Sequence, residues 1–205
     1  MKLYDMTAAP NPRRVRIFVA EKGIEMEYHQ VNMMAQEHKS PEFLAMNPSG
    51  KIPVLETDEG FIAESVAICR YLEAVYPQPN LFGATPFELG TIEMHNRIFE
   101  LEMWTQIGIS WVNGPVVAKM APGRFTQNPQ AKETSDANVH AFYRRFDKEL
   151  ADRQFAAGDR YTVADITALT GVDFASSSVG LKPDEALTNL WDWHARITAR
   201  PSASA

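Results

Sequence analysis

The sequence is short of cysteine, of basic charge and of long apolar runs, and each shortage excludes something. One cysteine, Cys69, stands among 205 residues, so no internal disulfide can form and the expected setting is reducing and cytoplasmic. Lys and Arg number 20 against 26 Asp and Glu, a net charge of -6. A nucleic-acid partner needs a basic field and is not expected. No apolar run nears the ~20 residues of a membrane span, and Met1 leads into Lys2-Leu3-Tyr4 without an apolar leader. No membrane partner is expected. No close His/Cys cluster has metal-ligand spacing, so no metal is expected either. Hydrophobic residues make up 45%, enough for a sizeable core.

What is present falls into two halves. Lys2-Leu3-Tyr4-Asp5-Met6 reads as a strand, ended by the Ala8-Ala9-Pro10-Asn11-Pro12 loop. Val15, Phe18, Val19 and Lys22 follow at helical spacing, with Gly23 placed to end the helix. Met26 to Val31 alternates as a second strand, and Pro41 opens a short helix. Ile52 to Glu56 and Gly60 to Ala63 form a hairpin around Asp58-Glu59-Gly60. Ser65 then starts a helix with Val66, Cys69, Leu72 and Val75 as its apolar face, and it stops before Pro77. The order is β-α-β-α-β-β-α. Beyond the Pro-rich stretch 77–86 strand signals fade, and Glu88 to about Met120, Lys132–Ala151, Thr162–Ser176 and Leu187–Ala199 read as helices. The Ser-Ala tail after Pro201 reads as disordered. The expected fold class is an α/β N-terminal domain over 1–76, a linker over 77–86 and an all-α C-terminal domain over 87–205.

Three local features converge on one kind of ligand. In Asn47-Pro48-Ser49-Gly50-Lys51-Ile52-Pro53-Val54-Leu55, a cis Ile52-Pro53 bond would present the Val54 N–H and C=O to an extended peptide. Glu64-Ser65 stands before an apolar helix, where Ser65 as N-cap and the dipole suit a carboxylate and Glu64 suits the ammonium of the same amino acid. The loop Thr7 to Pro12 precedes a helix carrying Arg13, Arg14 and Arg16, and its start would stabilise a thiolate or carboxylate. Each has an ordinary alternative: a trans proline in an edge strand, plain capping, or a solvated arginine face. For Arg16 the solvated face is the expectation.

The chain resembles the cytosolic glutathione transferase superfamily over almost its full length, in the manner of bacterial members near the nu- and theta-like classes. The resemblance rests on Lys2-Leu3-Tyr4, Asn11-Pro12-Arg13-Arg14-Val15-Arg16, Pro41-Glu42-Phe43, Asn47 to Leu55 and Glu64-Ser65-Val66-Ala67-Ile68. In the second half it rests on Tyr161-Thr162-Val163-Ala164-Asp165-Ile166, similar to the family's capping box, and on the ending Trp193 to Ser202. The resemblance implies a thioredoxin-like first domain that binds glutathione, a helical second domain that carries the hydrophobic substrate site, and a homodimer. Ile52 and Val54, on either side of Pro53, are implied to bind glutathione, with the Val54 backbone pairing with its cysteinyl part. Glu64 and Ser65 would hold the γ-glutamyl end, and His38 and Lys51 the glycine carboxylate. Pro53, Thr162 and Asp165 take structural roles.

The match breaks at the thiol-activating position. Many classes place a Tyr, Ser or Cys near the end of the first strand to lower the thiol pKa. Here the loop reads Thr7-Ala8-Ala9-Pro10-Asn11-Pro12, and the Ser-Ser-Cys of zeta-class isomerases is absent. Three donors remain: Asn11, ranked first; Thr7; and an ordered water held by Ser110 and Asn113. Met103, Trp104, Ile107, Trp111 and Phe125 are the candidates to line a hydrophobic electrophile site, their alternative being core or dimer interface. The expected activity is glutathione transfer. A glutathione-dependent disulfide reductase or peroxidase of nu-class type, and a non-catalytic binding protein with the same fold, are the alternatives.

Overall fold

The computed structural model describes residues 1–205. The chain divides into two compact units, Met1–Phe82 together with Arg200–Ala205, and Gly83–Ala199. The first unit runs β1 (Lys2–Asp5), α1 (Pro10–Lys22), β2 (Glu27–Gln30), a 3-10 turn (Glu37–Lys39), α2 (Pro41–Met46), β3 (Val54–Thr57), β4 (Gly60–Ala63) and α3 (Ser65–Val75). This is the β-α-β-α-β-β-α order read from the sequence. The sheet order is β2-β1-β3-β4, with β1 parallel to β2 and antiparallel to β3. Gly23 ends α1 at φ 62, closing on Ala20 and Val19 carbonyls, as its position in the sequence implies. The β3-β4 hairpin is tied by Thr57, whose hydroxyl donates to Gly60 O at 2.9 Å.

The apolar core of this unit includes Leu3, Val15, Phe18, Leu55, Ile68 and Leu72, none with any exposure. A second cluster, Val31, Phe43 and Val54, carries Tyr4, Met46 and Ile52 packed against it. The buried stripe of α3 is Ser65, Ile68, Cys69 and Leu72, which corrects the expected face. Positions 65, 68, 69 and 72 form a tighter helical stripe than 66 and 75 allow, and Val75 is 47% exposed.

Two other expectations fail, and each for the same reason: a distant partner supplies what local sequence cannot. Arg13, Arg14 and Arg16 form no solvated face. Arg14 and Arg16 are buried, and Arg13 donates to Ala203 O at 3.0 Å. The tail is ordered as a 3-10 turn, Pro201–Ser204, docked on α1. Arg200 grips Glu21 through two hydrogen bonds of 2.7 Å, and the Ser202 hydroxyl donates to the same carboxylate. A bidentate, partly buried pair of this kind is strong enough to order a short segment.

The second unit is helical: α4 (Pro86–Ile98), a π-turn (Phe99–Trp104), α5 (Thr105–Val112), α6 (Pro115–Met120), α7 (Pro129–Leu150), α8 (Val163–Phe174), a further π-turn (Ala175–Val179) and α9 (Thr188–Thr198). Phe146 links its core, with ring centroids 5.0 Å from Phe99 and 5.1 Å from Trp193. Fully buried Asp165 organises the start of α8, accepting from Thr162 N at 2.9 Å, Ala156 N at 2.7 Å and Trp193 Nε1 at 2.9 Å. Burial pushes its carboxyl up to about 6, against the pull of those donors. No helix is long and apolar enough to cross a membrane.

Candidate functional site

The start of α1 is unusual in what it leaves open. Its N-cap is Ala9, which has no side chain to offer a capping bond. Of the first helical positions, Pro10 and Pro12 have no N–H, and Arg13 N already donates to Ala9 O at 3.2 Å. The remaining first-turn donor is Asn11, whose N–H takes no partner within the chain and whose carboxamide is exposed. An anion at this helix start therefore meets Asn11 twice, by main chain and by side chain, at the positive end of the dipole. Thr7 is different. Its hydroxyl donates to Gln30 Oε1 at 3.0 Å and its N–H to the same atom at 2.9 Å. The one hydroxyl hydrogen of Thr7 is thus committed, which counts against it as a thiol donor.

The start of α3 is open too. Glu64 occupies the N-cap position, not Ser65 as the sequence suggested, and its side chain makes no capping bond. Glu64 sits at φ 68 and ψ 117, a backbone region that a residue with a Cβ adopts at a cost of about 1–3 kcal/mol. Ser65 is the first helical residue and is buried. Its Oγ accepts from Arg14 Nη1 at 2.8 Å, so its own hydrogen is left to donate. Arg14, 3% exposed, was named in the sequence only as one of three arginines, with no link to Ser65. The signal lay in the family-like Arg-Arg pair, but only the fold brings position 14 to position 65.

The Ile52-Pro53 bond is cis, as the peptide-pairing hypothesis required. Val54 nevertheless lies in a central strand, in register with Tyr4 on one side and Ala63 on the other, and is wholly buried. A peptide cannot add a strand there. Of the two candidates flanking Pro53, Ile52 lies outside the strands and is half-buried. Gly50, at φ +58, lets this turn press onto the Glu37–Lys39 turn, since a Cβ would sit 2.8 Å from His38 O. Lys51 is exposed. His38 is only 3% exposed, so its ring is not on the surface where a carboxylate would arrive. Lys39, missed in the sequence, reaches Ser49 O at 3.4 Å and is the exposed cation nearest Lys51 along this turn.

In the helical unit the expected residues part company. Ser110 is buried, donating to Asp136 and accepting from Lys132 Nζ at 3.1 Å, so its O–H is already committed to α7. Asn113 donates to Ile109 O at 2.9 Å and accepts from Asn128 N at 2.7 Å, a C-terminal cap for α5. Both side chains have structural duties, which counts against them as holders of a thiol-activating water. Met103 and Ile107 are fully buried core residues, with Met103 packed beside Gly171. Trp104 and Trp111 are half-buried and close on Phe174, at 6.2 Å stacked and 5.2 Å edge-on. Phe174, also half-buried, was not anticipated. Phe125 is 41% exposed in the loop after α6, under the Arg124 guanidinium.

Comparison with known proteins agrees with this geometry. Residues 1–74 match the glutathione S-transferase N-terminal domain family and residues 109–201 the glutathione S-transferase C-terminal domain family. Glutathione S-transferase 2 of Saccharomyces cerevisiae is 37% identical over 205 residues, covering 98% of this chain and 87% of that protein. Human glutathione S-transferase theta-2 is 28% identical, over 95% of this chain and 79% of its own length. The crystal structure of a glutathione S-transferase domain-containing protein from Marinobacter aquaeolei superposes with a TM-score of 0.89 at 36% identity, covering 99% of this chain and all of the other. A sheet with two open helix starts, followed by a helical unit, thus has its relatives: the chain belongs to the cytosolic glutathione S-transferase superfamily, near its theta-like members.

Proposed function

We propose that the chain is a cytoplasmic, homodimeric glutathione transferase that holds glutathione across its two open helix starts and ionises the thiol at Asn11. The observation that carries this is the pair of uncapped helices, α1 behind Ala9 and α3 behind a strained Glu64. In this reading the γ-glutamyl carboxylate takes the first N–H groups of α3 and the Ser65 hydroxyl, while Glu64 meets the ammonium. Ile52 pairs with the cysteinyl backbone. Lys51 and Lys39 face the glycine carboxylate. The sulfur lies at the start of α1, where Asn11 and the helix dipole favour thiolate over thiol. The thiolate then attacks an electrophilic carbon: a C–S bond forms and the leaving group departs with the electron pair of the broken bond. Trp104, Trp111 and Phe174 supply an aromatic surface suited to the apolar body of that electrophile. Homodimer formation is supported by Phe87, Met94 and Leu101, exposed at seven-residue spacing along α4 and the following turn.

A disulfide reductase is the second reading, favoured by one observation: Asn11 stands where a protein thiol or hydroxyl would otherwise act and Cys69 is buried, so that bound glutathione is the thiol left to meet a disulfide. Titration calorimetry of glutathione into wild type and Ser65→Ala tests the shared part. Binding that weakens about tenfold or more in the variant is expected, and no binding at millimolar glutathione refutes both readings. Turnover of an aryl halide against a model disulfide then separates them.

A further inference from the structure

The loop that delivers Asn11 is held by a closed ring of hydrogen bonds. Asp5, at the end of β1, is 1% exposed and accepts from Arg16 Nη1 at 2.6 Å. Arg16 Nη2 donates to Thr7 O at 2.9 Å. Thr7 in turn donates twice to Gln30 Oε1, through N–H at 2.9 Å and Oγ1 at 3.0 Å. Gln30 Nε2 closes the ring on the second Asp5 oxygen at 2.7 Å. Both main-chain groups of Thr7 and both oxygens of Asp5 are thereby fixed, and three elements, β1, α1 and β2, contribute one member each besides the loop itself.

The ring has two exposed members, Thr7 in the loop and Gln30 on β2. Asp5 and Arg16 are buried, and removing either leaves an uncompensated charge in the core. Gln30 is exposed at the end of an edge strand, where packing asks for no particular side chain. Few residues at that place have an acceptor for Thr7 and a donor for Asp5 at the right reach, and glutamine is the neutral one.

We propose that Gln30 is a positioning residue for thiol activation: by bridging Asp5 to Thr7 it sets the Met6–Ala9 loop, and through it the direction in which Asn11 faces the sulfur. This rests on Asn11 as the thiol donor. The path is short, since Ala9 N donates back to Met6 O at 2.9 Å and Ala9 is the residue from which α1 departs. Loss of the bridge leaves Thr7 held only at its carbonyl, by Arg16, while the Asp5–Arg16 pair and the open start of α3 stay in place. Glutathione is then still bound through its γ-glutamyl end, but its sulfur meets a donor that is no longer held in line, and a misplacement of about 1 Å costs roughly a hundredfold in rate.

The test is the pH profile of kcat and kcat/KM with an aryl halide for wild type, Gln30→Leu, Thr7→Val and Asn11→Ala. Gln30→Leu is expected to lower kcat at neutral pH roughly ten- to a hundredfold, and to move the ascending limb to higher pH. KM for glutathione should stay within about twofold, since ground-state binding is untouched, and the melting temperature should fall by no more than the one lost bond to Asp5 accounts for. Thr7→Val, which removes only the hydroxyl bond, should give a smaller shift in the same direction. A Gln30→Leu profile that superimposes on wild type while Asn11→Ala is shifted overturns the positioning role and leaves Asn11 as donor. A wild-type Thr7→Val profile beside a thermally weakened Gln30→Leu protein overturns it as well, because the effect is then one of stability. An unshifted Asn11→Ala removes the donor assignment and this inference together.

Discussion

The helices of the two units begin differently. In the helical unit α4 starts under Thr85, which accepts from Glu88 N at 3.2 Å, and α7 under Asn128, which accepts from Ala131 N at 3.0 Å. α8 starts under the Thr162–Asp165 pair, and near the start of α9 Leu190 N donates to Asp147 of α7 at 2.9 Å. In the first unit α2 is capped by Ser40, yet the two longer helices α1 and α3 have no side-chain cap. A cap is worth about 1 kcal/mol, so each omission forgoes stability at a place where the chain has had to be shaped: two prolines in one case, a strained Glu64 in the other. Unsatisfied donors at a helix start are tolerated when a ligand completes them. Short α6, behind Gly114, also starts without a side-chain cap, so the contrast lies in the long helices: α4, α7 and α8 are closed, while α1 and α3 are left open, for glutathione in the reading proposed above.

Several substitutions sharpen or break that contrast. The largest effect is expected at Asp165. Asp165→Ala leaves the N–H groups of Ala156, Thr162 and Trp193 without their acceptor. At about 1–3 kcal/mol for each buried orphan, denaturant unfolding should show a loss of roughly 3 kcal/mol or more, with the glutathione affinity of the folded fraction unchanged. A weakened affinity would mean that capping in the helical unit is not separable from the site. The same carboxyl carries a pH signature. Its folded pKa of about 6 lies above the unfolded value, so its contribution to stability is fully present below about pH 4 and is lost as pH rises through about 6. The difference in melting temperature between wild type and Asp165→Asn should change over that window and stay flat above it.

Smaller effects test the open helices. Glu64→Gly relieves the positive φ and should stabilise the protein by about 1–3 kcal/mol while weakening glutathione binding, since the carboxylate for the ammonium is gone. Stabilisation without loss of binding would take Glu64 out of the site. Ala9→Asp installs the missing cap of α1. A gain of about 1 kcal/mol in unfolding free energy should come with a fall in transferase rate, because the new carboxylate competes with the thiolate for the same helix start.

Much of this was legible in the sequence, and what was not has a common cause. Periodicity, prolines and glycines placed the strands and helices, the hairpin at Asp58-Glu59-Gly60 and the box at Thr162 and Asp165, because those signals act within a few residues of each other. Ser65 was singled out for the same local reason, although Glu64 takes the N-cap position, and Asn11 for a resemblance of its loop to a known class. The errors concern residues whose role is set by a partner far along the chain. Arg16 looked solvated because nothing local shows that Asp5 is buried beside it, and Arg14 went unassigned because Ser65 lies in another helix. Val54 was given the backbone pairing because the sequence does not reveal that β3 is flanked on both sides. Gln30 carries no sequence signal at all: an exposed glutamine on an edge strand is ordinary until its two bonds are seen.

The most direct test of open helix starts as the glutathione site is the thiol pKa of the bound tripeptide, read from thiolate ultraviolet absorbance as pH is raised over the wild-type protein and over Asn11→Ala. A free thiol titrates near 8.5. The account predicts a titration well below that value in the wild type, and one raised toward it in Asn11→Ala with glutathione still bound. Equal titrations in the two proteins would contradict it, and would take the Asn11 carboxamide out of thiol ionisation.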